Sequence, residues 1–307
     1  MPTPTAPLRI GTRGSPLALA QAHETRDRLA AAHQLPTDAF EITVITTTGD
    51  RIQDRPLKEL GGKGLFTKEI EQALLDQSID IAVHSMKDMP VMQPDGLVLD
   101  CYLPREDVRD ALLGAAARIA DLDHGATVGT SSIRRRAQLL ARRPDLNVVE
   151  FRGSVQTRLK KLADGVAEAT FLASAGLNRL GLDIGATPLD PQELLPAVAQ
   201  GAIGIERRQN DPTTAHLLAA IHDLETAQRL AAERAFLRAL DGSCQTPIAG
   251  LANLDGNQIH LRGEILSLDG ARAFSGSISG PVDQAATLGE NLAHDLLDQA
   301  GPNFLVT

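Results

Sequence analysis

The sequence predicts an α/β protein: two units in which strands alternate with helices, then a smaller α+β unit with an antiparallel sheet. Three observations predict this. Strand and helix signals alternate from Leu8 to about Leu240, the pattern of helices packed on largely parallel sheets. After Gly242 the texture changes to three spaced strand-like runs broken by turn sequences. The chain has 307 residues, more than one core usually supports, so two or three domains are expected.

The first element is the apolar run Leu8 to Thr12, which ends in a turn containing Gly and Arg. Ser15 suits the N-cap and Pro16 the first helical position, so a helix is expected from Pro16 to about Ala32. Strands follow at Glu41 to Thr46 and Asp80 to His84, with an amphipathic helix from Thr67 to Leu75 between them. The apolar stretch Leu97 to Leu103 places Cys101 in a buried strand, without assigned function. Asp100 to Asp110 (DCYLPREDVRD) has the polar, Pro-containing look of a linker and sets a boundary near residue 105. A second cycle then repeats the strand-turn-helix start of the first. Its strands are Ala126 to Gly129, Asn147 to Phe151 and Ala169 to Ala173, and its helices Ser132 to Arg142 and Val155 to Leu162. Thr226 to Leu240 reads as a helix. The runs Ile248 to Leu254, Gln258 to Ile265 and Ala273 to Ser279 read as antiparallel strands, interrupted at Asp255 to Asn257 and at Asp269 and Gly270. A helix from about Asp283 to Gln299 closes the chain.

Composition narrows the function. Phosphate-backbone affinity comes from Lys and Arg, and a formal charge of -9 speaks against a general polyanion binder. Trp is absent and Tyr102 is the single tyrosine, so stacking platforms for bases are poorly supplied. Cys101 and Cys244 alone cannot make a disulfide framework or a structural zinc site, which fits a reducing compartment. The start MPTPTAPLRIG lacks the basic stretch and apolar core of a secretory signal, and no run of 18 apolar residues spans a membrane; the cytoplasm is expected. No HExxH, paired CxxC, GxSxG or GxGxxG pattern is present, and no metal is expected.

Against this acidic background, Arg134 to Lys161 holds nine basic residues and two acids, a local surplus of seven. A solvated helical face is the bland reading of such a run. The positions argue otherwise. Three times a strand runs into an Arg and a Ser placed to cap the next helix: Arg13 with Ser15, Arg134 and Arg135 with Ser132, and Arg152 with Ser154. Cations at a helix N-terminus oppose the macrodipole, so an anion is expected there to resolve the conflict. The competing reading pairs these arginines with neighbouring Asp or Glu. Asp88, ending the run Asp80 to Pro90, is a candidate for acid/base or cation-stabilising work, against the plainer role of a turn-forming Asp. His84 reads as a packed strand-end residue. Gly61 to Thr67 (GGKGLFT) fails the Walker pattern and reads as a Gly loop able to close over a site. Cys244 lies in a polar loop after a helix, where a thiol is a candidate nucleophile or attachment point.

Seven stretches together resemble the hydroxymethylbilane synthase (porphobilinogen deaminase) family. They are Gly11 to Ala18 (GTRGSPLA), Gly61 to Phe66 (GGKGLF), Val83 to Pro90 (VHSMKDMP), Gly129 to Arg135 (GTSSIRR), Arg152 to Arg158 (RGSVQTR), Leu195 to Glu206 (LPAVAQGAIGIE) and Gly242 to Ile248 (GSCQTPI). The resemblance runs in order through essentially the whole chain. It implies two α/β domains similar to type II periplasmic binding proteins with a cleft between them, and a third, α+β domain bearing the cofactor cysteine. Domain one would cover 1–104 and 200–221, domain two 105–199 and domain three 222–307.

The resemblance also implies a transferase of porphyrin and haem biosynthesis. Porphobilinogen loses ammonia to give an electrophilic azafulvene, the free α-carbon of the growing chain attacks it, and four additions precede hydrolytic release of hydroxymethylbilane. Cys244 would hold a dipyrromethane cofactor by a thioether, and Asp88 would hydrogen-bond pyrrole N–H groups and stabilise cationic intermediates. Lys87, Asp88, Thr130, Ser132, Arg134, Arg135 and Arg158 match cofactor-binding positions. Arg13, Ser15, Arg152, Arg158, Arg179 and Gln200 match positions for the substrate's acetate and propionate groups. Lys63 and Phe66 match a mobile active-site loop. The implied partner is porphobilinogen, with no nucleic acid and no membrane, and a monomer is expected. Three positions depart from the family: Ser154 for Asn, Asn178 for Lys, and Ala199 for Gly, the last bearing on local geometry if it needs positive φ. The rival reading is a non-catalytic polycarboxylate-binding protein, which would need neither Asp88 nor Cys244.

Overall fold

Short apolar runs that are buried on both faces need helices on both sides, and the chain supplies them in sequence order. A computed structural model describes residues 1–51 (backbone alone at 50 and 51), 67–243, 246–301 and 304–305. Its first elements are β1 (Leu8–Thr12), α1 (Pro16–His33), β2 (Phe40–Val44), α2 (Thr48–Arg51), α3 (Lys68–Leu75), β3 (Ile81–Ser85) and β4 (Leu97–Tyr102). Next come β5 (Asp110–Gly114), β6 (Thr127–Gly129), α4 (Ile133–Arg142), β7 (Asn147–Val149), α5 (Val155–Ala163), β8 (Ala169–Ala173), α6 (Ser174–Arg179) and β9 (Thr187–Pro188). The chain continues through β10 (Ile203–Arg208), α7 (Pro212–Ala219), α8 (Leu224–Ala239), β11 (Ile248–Asp255), β12 (Gln258–Leu266), β13 (Ala273–Pro281) and α9 (Ala285–Ala300).

The described residues form two compact units, Met1–Glu106 with Ala202–Ala227, and Asp107–Gly201 with Gln228–Thr307. In the first, the strand order is β2-β1-β3-β10-β4. Ile10, Ile81, Val83, Ile203 and Ile205 pack with Leu29 of α1 and Leu217 of α7 in one core, while Ala82 joins Ile70 and Leu74 of α3 in another. In the second unit the order is β7-β6-β8-β5-β9, the same arrangement in a different stretch of chain. Val128, Phe171 and Leu112 form one core with Leu139 of α4; Leu113 and Leu172 form another with Leu159 of α5. The second unit also holds the antiparallel sheet β11-β12-β13, where Ala249 and Leu251 of β11 pack with Leu195 and Val108.

The expectation of largely parallel sheets is corrected. β1 pairs in parallel with β2 and β3, but β10 is antiparallel to both β3 and β4. Likewise β6 is parallel to β7 and β8, while β5 is antiparallel to β8 and β9. The chain enters the second unit at β5 and returns to the first at β10. Neither strand follows a crossover helix of its own sheet, so nothing forces it parallel. The segment read as a linker also ends in structure, since Asp110 is the buried first residue of β5.

Candidate active-site residues

In the first unit, Ser15 caps α1 by accepting the Ala18 N–H, and Pro16 occupies the first turn. Ile10 and Gly11 of β1 stand beside Ile81 and Ala82 of β3, so both strands run out at the same sheet edge. Arg13 and Ser15 follow one strand; Lys87 and Asp88 follow the other, on a single 3-10 turn from Met86 to Asp88. Carboxyl ends of neighbouring parallel strands are where α/β sheets present ligand groups. Buried Met86 anchors this turn, while Asp88 is exposed and neither hydrogen-bonds nor ion-pairs with a described residue. The Ser85 hydroxyl is held by Gln21 of α1, at 2.8 Å from its amide nitrogen and 3.0 Å from its amide oxygen. His84 is buried with Nε2 3.1 Å from Glu206 Oε2 of β10, a packed residue as its position suggested.

In the second unit, Ser132 caps α4 through the Arg135 N–H and Ser154 caps α5 through the Thr157 N–H. Thr130 is buried; its N–H donates to the Val149 carbonyl and its hydroxyl accepts the Ser132 N–H. Gly129 permits this turn, since a Cβ there would lie 2.4 Å from the Phe151 ring. Gly153, at φ 123°, provides the left-handed step between Arg152 and the Ser154 cap.

Arg134 and Arg135 are 5% and 7% exposed, and both donate to Asp110, which is fully buried. Arg134 Nη2 reaches Oδ2 at 2.7 Å while its Nη1 donates to the Leu195 carbonyl. Arg135 gives Nε and Nη2 to Oδ1 at 3.2 and 2.6 Å and Nη1 to the Phe171 carbonyl. Gln200, also buried, adds its amide to Oδ1 at 3.0 Å. Burial alone would raise the Asp110 carboxyl, but Arg134 and Arg135 outweigh it and hold it well below the usual carboxylate range. Burial lowers the Arg134 guanidinium, against the opposing pull of Asp110. The expectation that an external anion must answer these cations is thereby modified: an acid of the same unit already pairs with two of them. Arg152 has Glu150 at 3.5 Å. Arg179 donates to the Gly201 carbonyl at 3.1 Å.

Arg158 differs. It donates Nε to the Gly153 carbonyl and Nη1 to the Phe171 carbonyl, at 3.0 and 3.1 Å, and no acid among the described residues pairs with it. Burial and then the nearby Arg135 push its guanidinium down to about 10. A group bearing several carboxylates, as a dipyrromethane does, suits this donor set: among the described residues Arg158 has no counter-ion and the buried Arg134 Nε has no hydrogen-bond partner. Asp110 was missed in the sequence. An acid opening an apolar run, DALLG, was the available signal. Cys244, Lys63 and Phe66 lie outside the described residues. Among the described residues no His, Cys, Asp and Glu group could hold a metal, and no helix is long and apolar enough to cross a membrane.

Comparison with known proteins decides the family. The model described as "Porphobilinogen deaminase, dipyromethane cofactor binding domain" matches residues 8–216, and "Porphobilinogen deaminase, C-terminal domain" matches 227–298. The chain belongs to the porphobilinogen deaminase family. A porphobilinogen deaminase of Paracoccus denitrificans (strain Pd 1222) is 66% identical over 306 residues, 99% of this chain and 98% of the relative. Solved structures that align with this chain include YhfZ from Shigella flexneri, at TM-score 0.36 and 19% identity, covering 74% of this chain and 93% of that one. The periplasmic aliphatic sulphonate binding protein SsuA from Escherichia coli aligns at TM-score 0.40 and 18% identity, covering 76% and 70%. For a porphobilinogen deaminase family member, the two mixed α/β sheets and the small antiparallel sheet are the expected fold class.

Proposed function

We propose that this chain is a transferase that joins four porphobilinogen molecules head to tail, with loss of ammonia, on a covalently held dipyrromethane, and releases hydroxymethylbilane by hydrolysis. The family match over residues 8–216 and 227–298 carries the reading. The dipyrromethane, when bound, supplies the pyrrole α-carbon at which the first new unit is joined. Cys244 anchors it as a thioether. Lys87, Thr130, Ser132, Arg134, Arg135 and Arg158 hold its acetate and propionate groups, and Arg13, Ser15, Arg152, Arg158, Arg179 and Gln200 hold those of the incoming substrate. Lys63 and Phe66 belong to the loop that closes over it.

Asp88 does the electrostatic work. Its carboxylate accepts a pyrrole N–H that grows positive as ammonia departs, and an interaction stronger in the transition state than in the ground state lowers the barrier. Its exposure supports the role, because no described residue competes for its oxygens. The proposal includes a division into three domains, 1–104 with 200–221, 105–199 and 222–307, and a monomer working in the cytoplasm without nucleic acid or membrane. Support for these finer points is the family resemblance together with the net charge of -9.

Intact mass of the denatured protein tests the reading. An increment of two linked pyrrole units, absent in Cys244→Ser, is expected. A wild-type chain that stays unmodified after incubation with porphobilinogen would point instead to a polycarboxylate-binding protein.

A further inference from the structure

Asp110 receives four hydrogen bonds from three side chains: one from Arg134 on Oδ2, and two from Arg135 and one from Gln200 on Oδ1. Replacing a buried ion pair by apolar side chains of similar volume often costs no stability, because desolvating both partners offsets their attraction. Stability alone therefore does not account for a carboxylate at the head of an otherwise apolar strand. Direction does. Arg134 is held on one side by Asp110 and on another by the Leu195 carbonyl; Arg135 is held likewise by Asp110 and the Phe171 carbonyl. A guanidinium is a planar fork, and two fixed acceptors leave it one orientation.

We infer that Asp110 is a positioning residue: its two oxygens aim Arg134, Arg135 and Gln200, and so set the affinity of the site for the carboxylates of its pyrrole ligands. The inference rests on the function proposed above. It also differs from the alternative in sign. A counter-charge that only neutralises would weaken binding of other anions, so removing it would tighten them. Asp110→Asn removes that charge, but it also turns an NH2 donor toward Arg134, or toward Arg135 and Gln200, and donor facing donor swings a fork away. Misplacement of a binding group by about 1 Å costs on the order of 10²-fold, so orientation outweighs the gain in charge.

Steady-state kinetics and the rate at which the apo chain gains the two-pyrrole mass give two readouts. Asp110→Asn is expected to raise KM for porphobilinogen about tenfold or more and to slow loading similarly. Asp110→Glu keeps the charge but displaces the carboxylate by one methylene, and is expected to do the same; if Asp110→Asn fails to fold, Asp110→Glu decides alone. Arg143→Ala is the stability control, since Arg143 clamps the carbonyls of Ile119, Ala120, Leu122 and Asp123 and should leave KM at the wild-type value. A KM and loading rate in Asp110→Glu equal to wild type overturn the inference, as does an unchanged or lowered KM in Asp110→Asn. A wild-type chain that neither loads nor turns over is a separate failure, that of the proposed function, and takes the inference with it.

Discussion

Arg158 and Arg135 donate to one oxygen, the carbonyl of Phe171, at 3.1 and 3.0 Å. Only Arg135 has a counter-ion among the described residues, so burial and its neighbour hold Arg158 down at about 10. A bound carboxylate favours the charged form and raises that value. Binding therefore takes up a proton above about pH 10, and affinity falls as the pH rises through that value. Porphobilinogen at a hundred times its Kd is expected to stabilise the chain by about 2.7 kcal/mol. Arg158→Met should lose most of this shift. Thermal melts with and without ligand, from pH 7 to 10.5, check both statements.

The role proposed for Asp88 bears on chemistry and not on folding. It is exposed and bonded to no described residue, so Asp88→Ala should melt within a degree or two of wild type. Loss of one preorganised electrostatic group typically costs about 10²- to 10³-fold in kcat. Nearly all turnover should disappear. Ordinary turnover in this variant, measured as hydroxymethylbilane released, would remove Asp88 from the mechanism.

Ala199 sits at φ 62°, where a Cβ is strained, and its N–H is fixed by Glu233 Oε2 at 2.7 Å. Glu233 is fully buried and its other oxygen accepts the Ala252 N–H of β11 at 2.8 Å. One carboxylate thus ties the turn before Gln200 to the antiparallel sheet. Left-handed backbone costs a non-glycine residue roughly 1–2 kcal/mol, partly offset by the greater entropy of unfolded glycine. Ala199→Gly is expected to stabilise by up to about 1 kcal/mol, whereas Glu233→Ala, stranding two buried amides, should destabilise by several times as much. Urea denaturation of the two variants measures this.

Acid should unfold the chain through Asp110. Its folded pKa is depressed, so as the pH falls the unfolded chain protonates first and the folded state loses its advantage. The contribution is complete above the unfolded value of about 3.9 and declines as pH drops below it toward the folded value. The urea midpoint should hold steady from pH 7 to 5 and fall steeply below 4. In Asp110→Asn the midpoint should be lower at neutral pH and the acid slope shallower. Equal slopes would show that other carboxylates govern acid unfolding.

What could be read in the sequence was local. The caps at Ser15, Ser132 and Ser154 each reach an amide three residues ahead, and the turn at Asp255 and Gly256 joins strands that pair directly across it, so flanking residues alone determine them. Asp88 and the cation-rich second unit were visible for the same reason: their residue types stand together in the chain. The directions of β5 and β10 were not, because each is set by where the chain re-enters a sheet. Nor was the answer to the arginine run. Arg134 and Arg135 meet an acid 24 and 25 positions upstream, in a stretch that resembles a linker, and Gln200 reaches it across 90. The sequence by itself determined the helix starts capped by Ser15, Ser132 and Ser154, the strands β1, β3, β6 and β8, the three strands of the antiparallel sheet and the supply of basic side chains, whereas β5, β9, β10, α6 and α7 lay outside its reading. Only the tertiary structure decided that Arg134 and Arg135 pair with Asp110 while no described acid pairs with Arg158, because burial strengthens a pairing only after distant strands have excluded the water between its charges.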